Sequence, residues 1–144
     1  VALFRAQMQA PGRPPIAVTL DLDPSREPIR ADGEQLGRVV QNLLLNAIDA
    51  MPQGGQLRVR TERNGASFRL DVTDTGEGLT EEERQRLFTP YYTTKQHGTG
   101  LGLAIVQSVV TDHFGKAWVE SVRGEGTTFH IELPTGTEPN GANA

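Results

Sequence analysis

Asp74-Thr75-Gly76-Glu77-Gly78 sets one carboxylate into a double glycine turn, and Gly98-Thr99-Gly100-Leu101-Gly102-Leu103 follows 20 residues later. Upstream, an apolar run carries Asn42 and Asn46, a helical turn apart. A carboxylate, two glycine turns and two amides on one helix face suit an adenine nucleotide held with Mg²⁺.

Phe68, Leu70 and Val72 alternate along the approach to Asp74, which continues their face. A carboxylate in that position is partly buried, which is costly unless it is hydrogen-bonded. An adenine amino group is a fitting donor, and Gly76 and Gly78 let a flat base come close. Alone, the same residues read more readily as an Asp-Thr-Gly turn that closes a strand by local hydrogen bonds.

The run Asp32–Met51 predicts the main helix. Asp32 is a good N-cap, Gln35 stands at the capping-box position, and Pro52-Gln53-Gly54-Gly55 ends it. Leu36, Val40, Leu43, Leu44, Ala47, Ile48 and Met51 form a broad apolar stripe. Gln35, Arg38, Asn42, Asn46 and Asp49 lie opposite. Asparagine is a poor helix former, so two in one good helix invite a reason. Amide oxygens on Mg²⁺ are one reason, and a solvated polar face is another.

Around this centre the pattern gives a short helix over Val1–Ala10, a half-buried strand over Ile16–Leu22 and a short strand over Ile29–Ala31. Gln56–Glu62 and Ser67–Asp74 read as a hairpin about Asn64-Gly65. Thr80 and Glu83 box the start of a short acidic helix. Leu101–His113 is a second long helix stopped by Gly115, followed by strands Lys116–Val122 and Thr127–Leu133. This order predicts a two-layer α+β sandwich: a mixed, mainly antiparallel sheet of about five strands with three main helices on one face. Residues 1–134 read as one domain, and 135–144 as a polar, disordered tail.

Composition narrows the class. A net charge of −4 argues against a general nucleic-acid or membrane-surface binder. The absence of cysteine removes disulfides, thiolate metal sites and Cys nucleophiles, and agrees with a reducing compartment. No apolar stretch approaches the roughly 20 residues of a membrane span. No signal peptide is visible, and a chain opening on Val1 is expected to be a piece of a longer one.

Gly98–Gly102 precedes a helix, where free amides bind phosphate. It is neither a dinucleotide fingerprint nor a P-loop, since its spacing is Gly-x-Gly-x-Gly and no strand precedes it. A flexible loop would explain the glycines but not Lys95 beside them, which can neutralise a terminal phosphate. Lys95 also reads as one of several exposed cations. His97, His113 and His130 make no spaced metal site, and a structural role is expected of each. No Gly-x-Ser-x-Gly supports acyl transfer.

Taken in order, these motifs resemble the catalytic ATP-binding domain of sensor histidine kinases, which shares the Bergerat-type nucleotide fold of gyrase, a heat-shock chaperone and the mismatch-repair ATPases. Gln41–Met51 looks like the N box, Asp74–Gly78 the G1 box, Leu87–Lys95 the F box and Gly98–Leu103 the G2 box. Gly124-Glu125-Gly126-Thr127-Thr128-Phe129 resembles the closing glycine-threonine strand. The short lid and Thr93-Thr94-Lys95 look most like nitrogen-regulator-type sensors.

The resemblance implies roles. Asp74, ahead of Gly76 and Gly78 that let the base approach, accepts from the adenine amino group, and Thr127 joins the adenine contacts. Asn46 with Asn42 holds Mg²⁺ on the phosphates. Lys95 and the backbone of Gly98, Thr99, Gly100, Leu101, Gly102 and Leu103 meet the phosphates in a mobile lid. The implied catalytic set is Asn42, Asn46 and Lys95. Many members carry Lys or Arg three residues after the second Asn, where Asp49 stands here. The implied activity is γ-phosphoryl transfer from Mg-ATP to a histidine on a separate dimerisation domain, upstream of a response regulator. None of the three histidines has the acceptor's context, so the chain resembles the catalytic half alone. It is expected to be monomeric, to bind no nucleic acid, and to be cytoplasmic, with membrane anchoring of the parent left open. A gyrase-type ATPase is the alternative enzyme, but its water-activating Glu is replaced by Asn42, a poor base. A non-catalytic ATP-binding module is the third reading.

Overall fold

The computed structural model describes residues 15–24, 32–87 and 102–135. Five strands form one mixed sheet in the order β1-β2-β3-β5-β4. They are β1 (Ile16–Asp21), β2 (Gly55–Asn64), β3 (Ser67–Asp74), β4 (Lys116–Val122) and β5 (Gly126–Pro134). Only β1 runs parallel to its neighbour, β2. Helices α1 (Gly33–Asp49) and α3 (Gly102–Asp112) pack on each other and over β3, β4 and β5, while α2 (Glu81–Arg86) is one short turn after the β3 end. This is the expected α+β sandwich. The helix predicted over Val1–Ala10 and the strand over Ile29–Ala31 lie outside the described residues.

The core fills the gap between these two layers. From α1 come Val39, Leu43, Ala47 and the following Met51; from α3 come Val106 and Val110; from the sheet come Leu57, Val72, Phe129 and Ile131, all nearly inaccessible. The predicted stripe of α1 thus holds, with Val39 added and Leu36, Val40 and Leu44 only half-buried against its margin.

Several local expectations are corrected. Helix α1 ends at Asp49 rather than Met51, because Ala50 caps it and the Met51 N–H turns back three residues onto the Ile48 carbonyl. The strand at Ile16 forms, but it is not half-buried. Val18, Leu20 and Leu22 are 43%, 62% and 55% exposed. Val18 and Leu20 share the helix side of the sheet with Leu57 and Val59, but β1 is the edge strand, beyond the strands that α1 and α3 pack over. The hairpin loop is Gly65-Ala66, one residue later than expected, with positive φ at Gly65 only. That is the type II′ pattern, whose twist suits paired strands.

Gly115 does not supply the left-handed stop of α3. Phe114 does, at φ 61°. Its N–H reaches the Thr111 carbonyl and the Gly115 N–H reaches the Val110 carbonyl at 2.8 Å, the two bonds of a Schellman ending. Gly115 is needed for space instead, since a Cβ there would lie 2.4 Å from the Glu132 carbonyl oxygen. Among the described residues no helix is long and apolar enough to cross a membrane.

Candidate functional site

Asp74 ends β3 on the helix side of the sheet, 3% exposed. Its Oδ1 accepts the Gly76 N–H at 2.9 Å. Burial raises its pKa to about 6, against the opposing pull of backbone hydrogen bonds from Gly76 and Thr127. The predicted partial burial is therefore nearly complete, and the carboxylate is held ready for a further donor.

The turn after Asp74 is clamped on three sides. Gly76 abuts the end of α1 so closely that a Cβ would lie 2.2 Å from the Ala50 carbonyl oxygen, and the Glu77 N–H donates to that oxygen. Thr75 Oγ1 accepts the Gln56 N–H at the start of β2. Gly78, at φ 72°, lies under the β4 end, and Glu77 accepts the Gly124 N–H. Ser121 completes the clamp. Its hydroxyl accepts the Leu79 N–H, donates to the Gly126 carbonyl and lies 2.8 Å from Thr127 Oγ1. Thr127 is buried and stands opposite Asp74 in the β3–β5 register. Ser121 was not anticipated, because a serine on an edge-ward strand has no sequence signature of its own.

Asn42 and Asn46 lie half-buried on α1, and neither side-chain amide is engaged by another described residue. Gly102 starts α3 against Asn42, where a Cβ would stand 3.2 Å from Asn42 Oδ1. The chain therefore brings Asp74, Gly76 and the C-terminal end of α1 together, and joins Asn42 to the start of α3. Leu103 packs against the core. Lys95, Gly98, Thr99, Gly100 and Leu101 lie outside the described residues. A shallow cleft of about 270 Å³ borders Asp74 and Thr127 from the β4–β5 turn, lined also by Thr73, Ser121 and Glu125. It does not include the two asparagines.

His130 and His113 have structural partners, and His97 lies outside the described residues. His130 is buried with Nδ1 2.6 Å from Asp71 and its ring stacked on Trp118. His113 joins two helix ends. Among the described residues no cluster of three His, Asp or Glu side chains could hold a metal.

Residues 31–137 match the family described as histidine kinase-, DNA gyrase B- and HSP90-like ATPases, and the chain belongs to that family. Within it, the chain is an ATP-binding catalytic domain of the histidine kinase type. It is 44% identical over 116 residues to the sensor histidine kinase ZraS of Escherichia coli K12, covering 78% of this chain and 25% of ZraS. It is 42% identical over 120 residues to sporulation kinase E of Bacillus subtilis 168, covering 83% of this chain and 16% of that kinase. The chain thus spans a quarter or less of these relatives. Among solved structures, the nucleotide-free catalytic domain of histidine kinase ThkA superposes with a TM-score of 0.80 at 31% identity, covering 93% of this chain and 86% of that one.

Proposed function

We propose that this domain binds ATP as its Mg²⁺ complex and delivers the γ-phosphoryl group to a histidine on the dimerisation domain of its parent protein, from which a response regulator is phosphorylated. The observation that carries this reading is the buried Asp74 carboxylate beside a turn locked onto the end of α1, the helix that carries two side-chain amides not engaged by another described residue. In this reading the adenine amino group donates to Asp74, which must be ionised to accept best. Burial that raises its pKa also makes the added donor worth more, because the charge has little water to turn to.

The donors on α1 fit a hard cation. Asn46 and Asn42 offer neutral amide oxygens one helical turn apart, and Mg²⁺ needs only one or two protein ligands beside phosphate oxygens and water. Bound there, Mg²⁺ supplies charge neutralisation on the phosphates. The protein orients the triphosphate along the start of α3, with Lys95 and the Gly98–Gly102 backbone proposed as phosphate contacts. Phosphoryl transfer needs positioning and charge stabilisation more than covalent help. Asn42 stands where a hydrolytic relative would need a base, and an amide cannot take a proton from water, so transfer is favoured over hydrolysis. The domain is proposed to work as a monomer, within the cytoplasm, without nucleic acid.

The test is calorimetry with Mg-ATP, followed by transfer to an added acceptor domain from a matching kinase. Binding with a phosphohistidine on the acceptor is the expected result. Binding without transfer to a competent acceptor would leave a regulatory module in its place.

A further inference from the structure

His113 lies far from the nucleotide residues, yet its two ring nitrogens connect the two helices that build the site. Nε2 stands 3.0 Å from the Asp32 backbone nitrogen and accepts its N–H. Nδ1 stands 2.8 Å from the Val109 carbonyl oxygen, which can only accept, so Nδ1 carries the proton. The partners thus define a neutral ring of one tautomer. Asp32 is the N-cap of α1, and its carboxylate is already used on the Glu34 and Gln35 N–H groups. The sequence pattern offers Gln35 as the reciprocal partner of the Asp32 N–H, but that N–H goes to His113 on the other helix instead.

The consequence is geometric. The start of α1 is tied to the end of α3, and at the other end Gly102 of α3 lies against Asn42 of α1. Asp32 to Asn42 along α1 and Gly102 to His113 along α3 span about 15 and about 16 Å at the helical rise. Two antiparallel helices, bonded at one end and in close approach at the other over nearly equal spans, form a closed frame. Neither can slide along the other without breaking the His113 bond or opening the Gly102–Asn42 approach. Resting on the proposed function, we infer that His113 is a positioning residue: it fixes the axial register of α1 against α3, and so the distance between the Asn42 and Asn46 amides and the phosphate-facing start of α3.

The test separates this role from simple stability through side-chain reach. A Gln side chain can place an acceptor oxygen at the Nε2 position, whereas Asn reaches only the Nδ1 position. His113→Asn is expected to lower Mg-ATP affinity about three- to tenfold, the scale of one net hydrogen bond, and His113→Gln to restore it to within about twofold. Equal losses in both variants, or none in His113→Asn, would overturn the inference. A second readout needs no nucleotide. In ¹⁵N-labelled wild-type protein, NMR should show coupling across the Asp32 N–H to His113 Nε2 hydrogen bond. The Asn42 side-chain amide signal should move in His113→Asn and stay in His113→Gln. Absent coupling, or an Nε2-protonated ring, overturns the tie whatever the nucleotide result. If the wild type shows the coupling but binds no Mg-ATP, the proposed function falls and the Asn42 signal decides the register. Should His113→Asn not fold, the wild-type coupling and the unchanged Asn42 signal in His113→Gln decide together, and the lack of either overturns the inference.

Discussion

Asp74 couples stability and ligand affinity through a single proton. Its folded pKa of about 6 lies above the ordinary value of 3.8, so the nucleotide-free fold prefers the neutral acid. The stabilisation is fully present below about pH 4 and is lost as pH rises through about 6. Asp74→Asn keeps the shape without the charge. It is therefore expected to stabilise the nucleotide-free domain by about 2–3 kcal/mol near pH 8, with the gain vanishing towards pH 4; denaturant melts at both pH values check this. The same substitution places a donor where the adenine amino group needs an acceptor, so ATP affinity should fall roughly ten- to hundredfold. In the wild type, ATP affinity should weaken as pH falls below about 6, where the acid must lose its proton to bind. Asp74→Asn should lack that component. An unchanged affinity in a folded Asp74→Asn protein would remove Asp74 from the site. A companion substitution concerns the cation. Asn46→Ala deletes a proposed ligand oxygen, so calorimetry should show a larger loss for Mg-ATP than for metal-free ATP. Equal losses would count against that role.

At the scale of elements, the end of α3 offers a different kind of test. Phe114 holds a left-handed conformation that costs a non-glycine residue of order 1 kcal/mol, and its ring is 89% exposed, so burial returns little. Phe114→Gly should raise stability by about 0.5–1 kcal/mol and the melting temperature by a few degrees. A fall in stability would show that the ring has a role that its exposure hides. This helix ending also shows where sequence reading stops. The start and stripe of α1, the pairing of the two hairpin strands, the boxed start of α2 and the strand pair β4–β5 are legible because periodicity and capping are local. Residue type points to Gly115 as the stop, but the space at Gly115 is set by the Glu132 carbonyl, which lies in another strand, and the left-handed position falls to Phe114. The exposure of Val18 and Leu20 was illegible for the same reason: alternation reveals a strand, not its place at the sheet edge. In the candidate site, the burial of Asp74 beside Gly76 and the shared face of Asn42 and Asn46 could be read from motif and spacing. Ser121, Ala50 and the His113–Asp32 bond could not, since each is a contact between elements distant in sequence.

Among the described residues the proposed nucleotide contacts gather at one end of a helix layer, but the sequence has no histidine in an acceptor context. His113 and His130 are both occupied structurally, one between helix ends and the other between Asp71 and the Trp118 ring. Asn42 cannot activate water as a carboxylate would. Given Mg-ATP alone, the domain should therefore bind nucleotide with little self-phosphorylation and only slow hydrolysis. Given a matching dimerisation domain, phosphate should appear on that partner as an acid-labile, base-stable adduct, the behaviour of a phosphorus–nitrogen bond. Radiolabelled ATP followed by acid and base treatment of the separated proteins measures both. Rapid hydrolysis by the isolated domain would instead indicate the gyrase-like chemistry that Asn42 argues against. Stable label on His97, His113 or His130 would place the acceptor within this domain and remove the need for a partner.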